Sequence, residues 1–144
     1  MKKLLSALLP VMFLSACVVY NDGSKPSTLS YSDLQHHNFV LQSFNGKSIT
    51  QQGSKMLNLA FNENQQVSGT LCNNFRGAAT MSGNLMKANM ASTKMTCPDA
   101  NLNAAEQALY NAFSQGARLT FNGQILTIQQ GSNTFVYQLR DYVR

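Results

Sequence analysis

Short turn sequences divide most of this chain into brief segments that alternate apolar and polar residues, as in 57–61. Asn45-Gly46, Ser82-Gly83-Asn84, Asn122-Gly123 and Gly131-Ser132-Asn133 each separate two such segments. Asn-Gly pairs favour tight β-hairpins because both residues tolerate a positive φ, and Asn122-Gly123 is therefore predicted to form a type I′ turn. The pattern predicts about eight short antiparallel strands, which is typical of a β-sandwich or a barrel.

One segment has a helical period instead. Its apolar residues recur every three or four positions, and they are Leu102, Ala105, Leu109, Ala112 and Phe113, with Tyr110 beside them. Asp99 or Asn101 is expected to cap its start, and Gly116 is expected to end it. An isolated helix of this length is marginal in water, so its apolar stripe should pack against the sheet. The predicted fold class is mainly β (α+β): antiparallel strands with one packed amphipathic helix.

The first 16 residues have the organisation of a bacterial export signal. Lys2 and Lys3 precede an apolar segment, 4–16, whose 13 residues are fewer than the roughly 20 that span a bilayer. The sequence Leu14-Ser15-Ala16-Cys17 resembles the lipobox of bacterial lipoproteins, in which the Cys becomes the lipidated N-terminus. Ordinary signal cleavage beside an unrelated Cys is the alternative. We expect residues 1–16 to be removed and Cys17 to carry lipid.

Lipidation at Cys17 would anchor the protein to a membrane, because two or more acyl chains give stable attachment and the lipoprotein resemblance implies three. Val18 stands where lipoproteins of the inner membrane usually have Asp, so the expected location is the periplasmic face of the outer membrane. Residues 17–32 are interpreted as the lipidated Cys and a flexible tether, rich in Asn, Ser, Gly and Pro. The folded domain is then 33–144.

The charge of the chain gives no sign of a nucleic-acid partner. Residues 17–144 carry nine Lys and Arg against six Asp and Glu, a net charge of +3. These basic residues form no run and are not interleaved with aromatic residues, as a nucleic-acid interface would require.

Two cysteines remain besides Cys17, and they are Cys72 and Cys97. An oxidising compartment favours a disulfide between them, and closing a loop of about 25 residues would stabilise the fold by roughly 3 kcal/mol. A redox-active pair, or a Cys–His nucleophile using His36 or His37, would need a free thiol of low pKa, and the chain has no Cys-x-x-Cys. We predict a structural disulfide and no catalytic residue.

Three segments resemble the HslJ-type heat-inducible lipoproteins of the META domain family. Residues 34–41 are similar to the first strand of the family, 67–77 to its Cys-Asn-x-Phe-x-Gly element, and 92–97 to its Thr-Arg-Met-x-Cys element, with Lys94 in place of Arg. The resemblance spans about 34–140. It implies a partly barrel-like sheet with one helix, in an envelope protein linked to heat and antibiotic stress and without an established catalytic activity. It also implies a likeness to pilotin lipoproteins, which hold an acyl tail in a cracked barrel.

Neither the histidines nor the methionines predict a metal site or another cofactor. His36 and His37 are adjacent, so on a strand they would point to opposite faces, and no third ligand follows at a zinc-like spacing. Four methionines within 15 residues suggest a Cu(I) site or the filling of gaps in the core. Their mixed spacing favours the core, and they are Met81, Met86, Met90 and Met95.

The candidate recognition surface consists of Asn73, Asn74 and Arg76, together with Lys94. The two amides could instead bond to backbone groups at a bend. We predict a non-enzymatic outer-membrane lipoprotein that supports envelope integrity and stress tolerance by binding an envelope protein or a small ligand. The alternatives are a carrier of acyl chains or small ligands, with a cavity between helix and sheet, and a periplasmic inhibitor of a cell-wall hydrolase.

Overall fold

Antiparallel strands make up most of the computed structural model, which describes residues 28–49 and 55–141. In chain order these residues form β1 (Asn38–Phe44), β2 (Lys47–Ser48), β3 (Asn58–Asn62), β4 (Gln66–Thr70), β5 (Asn74–Ser82), β6 (Leu85–Ala88), β7 (Ala91–Ser92), α1 (Ala100–Gln115), β8 (Ala117–Asn122), β9 (Ile125–Gln130) and β10 (Asn133–Leu139). Eight of these strands follow one another around a barrel in the order β1-β3-β4-β5-β6-β8-β9-β10, and β10 pairs with β1 to close it. β2 and β7 pair with β1 and β5 respectively. The predicted fold class is confirmed, with a closed barrel rather than a sandwich.

The tight turns between neighbouring strands are of two kinds. At Asn45-Gly46 both residues have a positive φ, as in a type I′ turn. The predicted type I′ turn at Asn122-Gly123 is wrong by one residue, because Asn122 pairs with Ile125 and the turn residues are Gly123 and Gln124. Only Gly123 of these two has a positive φ, which is the type II′ pattern that places Gly first. The same Gly-first turn recurs at Gly83-Asn84 and Gly131-Ser132.

Side chains from alternate strand positions fill the barrel. The largest of those that are almost completely buried are Tyr137, Phe39, Phe61, Phe113, Phe135, Leu34, Leu57, Leu59, Leu71, Met86, Leu102 and Leu109. The predicted helix is confirmed as α1, which contacts β6, β8, β9 and β10. Asp99 caps it by accepting hydrogen bonds from the backbone N–H groups of Asn101 and Leu102, and Gly116 ends it with a φ of 110°.

The packed part of the chain begins earlier than the predicted boundary at residue 33. The backbone N–H of Leu29 donates to Asn84 Oδ1 over 2.9 Å, and the Tyr31 hydroxyl lies 2.8 and 2.9 Å from the carbonyl oxygens of Asn62 and Gln66. Leu29 and Tyr31 therefore belong to the domain and not to a free tether.

The predicted export signal, Cys17 and the first part of the predicted tether lie outside the described residues. Within the described ranges, no helix has both the length and the apolar character needed to cross a bilayer.

Candidate functional site

The barrel wall opens where β6 and β7 follow one another along β5. β6 pairs with β8 at Leu85 and Met86 alone, and within the described residues β7 pairs with β5 only. A cleft of about 770 Å³ lies between this part of the chain and α1. We call it the helix cleft, and it is lined by Asn73, Met90, Ala91, Ser92, Thr93, Lys94, Met95, Thr96, Asn103, Glu106, Gln107 and Tyr110.

A disulfide joins Cys72 to Cys97 beside the helix cleft. Their Cα atoms are 5.7 Å apart, which is within the usual range for a disulfide, and Cys72 is completely buried. The bond connects the loop between β4 and β5 to the segment that precedes α1. Asn103 of α1 holds the same segment, because its Oδ1 accepts from the N–H of Cys97 and its Nδ2 donates to the carbonyl oxygen of Cys97 over 2.7 Å.

Asn73 is the centre of a buried hydrogen-bond network at the floor of the helix cleft. Its backbone N–H and its Nδ2 each donate to a different oxygen of the Glu106 carboxylate, both over 2.6 Å. Its Nδ2 also donates to the carbonyl oxygen of Met95, and its Oδ1 accepts from the N–H of Met95 and the hydroxyl of Thr93. The Asn73 network therefore joins the β4–β5 loop, the segment 93–97 and α1.

Glu106 is the buried partner that sequence reasoning missed. It is only 3% exposed, and within the described part of the chain its carboxylate is bound by the amide donors of Asn73. A signal for it existed, because Glu106 lies within the apolar stripe of α1, four residues after Leu102 and three before Leu109. A charged side chain in that stripe has to be buried, so it needs donors to offset its desolvation.

Tyr110 places a buried hydroxyl beside the helix cleft, close to the side chains of Ser92 and Glu106. Its hydroxyl oxygen is buried and has no hydrogen-bond partner among the described residues, and the same is true of Tyr137 in the barrel. Burial raises the pKa of Tyr110 to about 12, and the nearby Glu106 carboxylate raises it further while Ser92 opposes the shift. Burial also raises the pKa of Tyr137. Both phenols therefore stay protonated at neutral pH.

The structure divides the predicted recognition residues between the interior and the surface. Asn73 is 3% exposed and bonds to backbone groups at a bend, so it forms part of the floor of the helix cleft rather than of an exposed surface. Asn74 and Arg76 are exposed on β5, where Asn74 accepts from the Thr70 hydroxyl. Lys94 is exposed and lines the helix cleft.

The four methionines do not meet at one site. Met81 and Met86 are opposite each other on β5 and β6, and Met86 is completely buried in the core. Met90 and Met95 line the helix cleft, where Met95 is 64% exposed. Core filling thus accounts for Met86 but not for Met95, which presents an apolar side chain to solvent.

A second cleft, of about 450 Å³, lies at the start of β1, and we call it the rim cleft: it is lined by His36, His37, Asn38, Ala60, Phe61, Asn62, Glu63 and Asp141. His37 Nδ1 lies 2.7 Å from Asp141 Oδ2, and the backbone N–H of Asn38 donates to Asp141 Oδ1 over 2.9 Å. Partial burial raises the pKa of Asp141, but the bonds from Asn38 and His37 and the charge of His37 outweigh it, so this pKa is below its usual value.

His36, the first of the two adjacent histidines, is exposed and has a φ of 64°. Throughout the described ranges, no group of three or more His, Cys, Asp or Glu side chains is arranged to hold a metal ion.

Comparison with known proteins identifies similar chains over nearly the whole length. The family model of the META domain matches residues 32–142. Heat shock protein HslJ of Escherichia coli (strain K12) is 32% identical over 142 residues, which is 98% of this chain and 98% of that protein.

Two structures solved by NMR have the same fold. The first has a TM-score of 0.73 and 32% identity, and the match covers 78% of this chain and 97% of that one. The second, a protein from Burkholderia xenovorans, has a TM-score of 0.62 with 15% identity and 99% coverage of both chains, so it supports the fold alone.

Proposed function

Because this chain belongs to the META domain family, we propose that it is a non-enzymatic lipoprotein of the bacterial outer membrane, held at the periplasmic face through Cys17, which supports envelope integrity under heat and antibiotic stress. It acts by binding a partner at the helix cleft. The observation that carries the proposal is the contrast between the fixed floor of this cleft and its exposed rim.

The floor is fixed because the Asn73 network joins the β4–β5 loop, the segment 93–97 and α1, and the Cys72–Cys97 disulfide adds a covalent link. The rim offers the exposed side chains of Met95 and Lys94, one apolar and one charged. A preformed concave site that combines apolar groups with a few polar groups is the usual form of a binding site. A rigid floor also lowers the entropic cost of binding.

The polar groups near the helix cleft are engaged in ways that suit binding rather than catalysis. Both cysteines are in the disulfide, so neither supplies a thiolate nucleophile. Each oxygen of the Glu106 carboxylate already accepts a hydrogen bond from Asn73, and His37 bonds to Asp141 in the rim cleft instead. This arrangement favours a role without covalent chemistry.

The alternative of an acyl-chain carrier has less support. Aromatic and aliphatic side chains such as Tyr137, Phe39 and Phe113 occupy the barrel interior between sheet and helix. The helix cleft itself is open and mixes polar with apolar residues. The further alternative, inhibition of a cell-wall hydrolase, stays a prediction that muramidase inhibition assays would test.

The anchor is tested by the intact mass of the protein purified from membranes. We expect a chain that begins at Cys17 and carries three acyl chains, and Cys17→Ser should abolish this modification and release the domain from the membrane fraction. A mature chain that still contains Met1, or that begins at an unmodified Cys17, would contradict the proposed location.

The stress function is tested by complementation of a deletion strain. We expect the deletion to lower survival after heat and antibiotic exposure, and the wild-type gene to restore it. A variant with Lys94→Glu and Met95→Glu should fail to restore survival at equal protein level, because both side chains lie exposed on the rim of the helix cleft. Arg118→Glu, exposed on β8, is the matched control and should restore survival. Full rescue by the rim variant would contradict binding at this cleft.

A further inference from the structure

We propose that the helix cleft binds an extended peptide segment of a partner protein, which adds a strand to the free edge of β7 and carries acidic side chains alternating with apolar ones. This inference rests on the proposed function, since it specifies the class of partner that the same cleft takes. It follows from the backbone geometry of β7, the fixed position of the next segment, and the charges around the cleft.

The backbone of β7 leaves its outer edge without a partner strand. Ser92 is opposite Phe75 of β5, and the N–H of the next residue, Thr93, donates to the carbonyl oxygen of Asn74 over 3.1 Å. Hydrogen-bonded and non-hydrogen-bonded pairs alternate along an antiparallel ladder. Ser92 therefore belongs to a non-hydrogen-bonded pair, and its backbone N–H and carbonyl point away from β5. Among the described residues β7 pairs with no other strand, so this edge is available for strand addition.

The segment after β7 is held in place by bonds within the chain. Asn73 bonds to Thr93 and Met95, Asn103 bonds to Cys97, and the disulfide fixes the end of the segment. An edge that is ordered in advance binds an added strand without paying the entropy of its own ordering.

The charges around the edge favour acidic side chains in the partner. Lys94 lines the cleft, and Arg76 is exposed on β5 directly opposite Ala91 of β7. Glu106 is the acidic residue in the lining, and its two oxygens are already bonded to Asn73. Met90 and Met95 provide adaptable apolar contacts for the side chains between the acidic ones.

The same charges disfavour a second copy of this chain as the occupant. Antiparallel pairing of two β7 edges would place two positively charged surfaces side by side, since each chain carries Lys94 beyond β7 and Arg76 on the neighbouring strand β5. Like charges opposite each other in a sheet are destabilising. A different protein with an acidic extended segment removes this repulsion.

The test uses three labelled peptides and the complete mature domain in fluorescence anisotropy and NMR titrations. The first peptide alternates Asp with Val, the second alternates Lys with Val, and the third is the Asp-Val peptide with alternate backbone nitrogens methylated. We expect the Asp-Val peptide to bind at least about tenfold more tightly than the other two and to shift the Ser92 backbone amide resonance, because strand addition uses backbone bonds. No shift of the Ser92 amide resonance at about 1 mM Asp-Val peptide, a concentration that would half-saturate a site with a Kd of about 1 mM, overturns the proposal.

Two variants separate the backbone edge from the charges. Ser92→Pro removes the free N–H at a position where an edge strand tolerates proline, and it should weaken binding of the Asp-Val peptide at least about tenfold. Ser92→Ala keeps the N–H and should bind like wild type. Lys94→Glu should reverse the preference between Asp-Val and Lys-Val, whereas the control Arg118→Glu should not. Unchanged binding by either Ser92→Pro or Lys94→Glu contradicts the proposed mode.

Failure of this inference is distinguishable from failure of the proposed function. If the rim variant fails to restore survival but the Asp-Val peptide does not bind at Ser92, the cleft is functional and the strand mode is wrong. If the peptide binds as expected but the rim variant restores survival, strand addition occurs and the stress function lies elsewhere.

Discussion

The helix cleft and the rim cleft are built from polar contacts of opposite kinds. At the helix cleft, Asn73 and Glu106 are each 3% exposed and are joined by two bonds of 2.6 Å. At the rim cleft, the side chains of His37 and Asp141 are 34% and 41% exposed, although their contact of 2.7 Å is nearly as short. Bond length alone therefore does not measure the contribution of a polar contact to stability. Solvent screens the exposed pair, whereas removal of one buried partner leaves the other desolvated.

The largest expected effect comes from Asn73→Ala. This change removes the Nδ2 donor to the buried Glu106 carboxylate, although the backbone N–H at position 73 remains, and it removes the acceptor of the Met95 N–H and the Thr93 hydroxyl. Each buried polar group left unsatisfied costs about 1–3 kcal/mol, and more if it is charged, so we expect the free energy of unfolding to fall by about 3–5 kcal/mol. Urea denaturation of the purified domain measures the loss. The control is Asn74→Ala, which removes the same amide from an exposed position and should change stability by no more than about 0.5 kcal/mol. Equal losses for the two variants would mean that burial does not distinguish these amides.

The disulfide should contribute the next largest share of stability at the helix cleft. In the double variant Cys72→Ala/Cys97→Ala, we expect the free energy of unfolding to fall by about 3 kcal/mol, because the unfolded chain is no longer constrained. Reductant should produce a similar loss in the wild type and none in the double variant. A loss in the double variant under reductant would point to an effect unrelated to this bond.

Gly77→Ala tests the close approach of the chain between β6 and β7. The carbonyl oxygen of Asn89 and the sulfur of Met90 lie where a Cβ at position 77 would stand. Overpacking of this kind costs about 1–3 kcal/mol, and it should also shift the NMR resonances of Ala91 and Ser92. Gly46→Ala makes no such contact, so only backbone strain at its φ of 78° should act there, and the β7 resonances should stay unchanged. Unchanged β7 resonances in Gly77→Ala would contradict the role of this glycine.

The smallest effect is expected at the rim cleft. Because the pKa of Asp141 is lowered in the folded protein, the pair stabilises the fold above the ordinary Asp pKa of about 3.9, and this contribution disappears as the pH falls through the folded pKa. Asp141→Asn should therefore lower stability at pH 7 by less than about 1 kcal/mol, and it should make no difference near pH 2. Glu63→Gln, from the same cleft, is the control for a general charge effect. Acid titration of the melting temperature decides between these outcomes.

The local features of the fold were predictable from sequence, and the long-range contacts of the site were not. Gly116 and the apolar spacing of α1 are local signals that act within a few residues. The turn at Gly123 was displaced by one residue because an Asn-Gly pair can form both central residues of a turn, or its Gly alone can be the first of them. The pairing of neighbouring strands decides between these two positions. The bond between Asn73 and Glu106 joins residues 33 apart, and no local periodicity encodes it. The only sequence hint was a carboxylate within an apolar helical stripe.

Pairing of β1 with β10 has a consequence for how the barrel folds. The strand that starts the barrel finds its last neighbour only when nearly the entire polypeptide has been made, since Phe39 is opposite Leu139. Until then the sheet has two edge strands with unpaired backbone groups, and such edges can pair with other chains. A chain truncated before residue 133 would therefore keep both edges unpaired and be prone to aggregate, so this fold depends on its last strand more than a fold whose edges pair early along the chain.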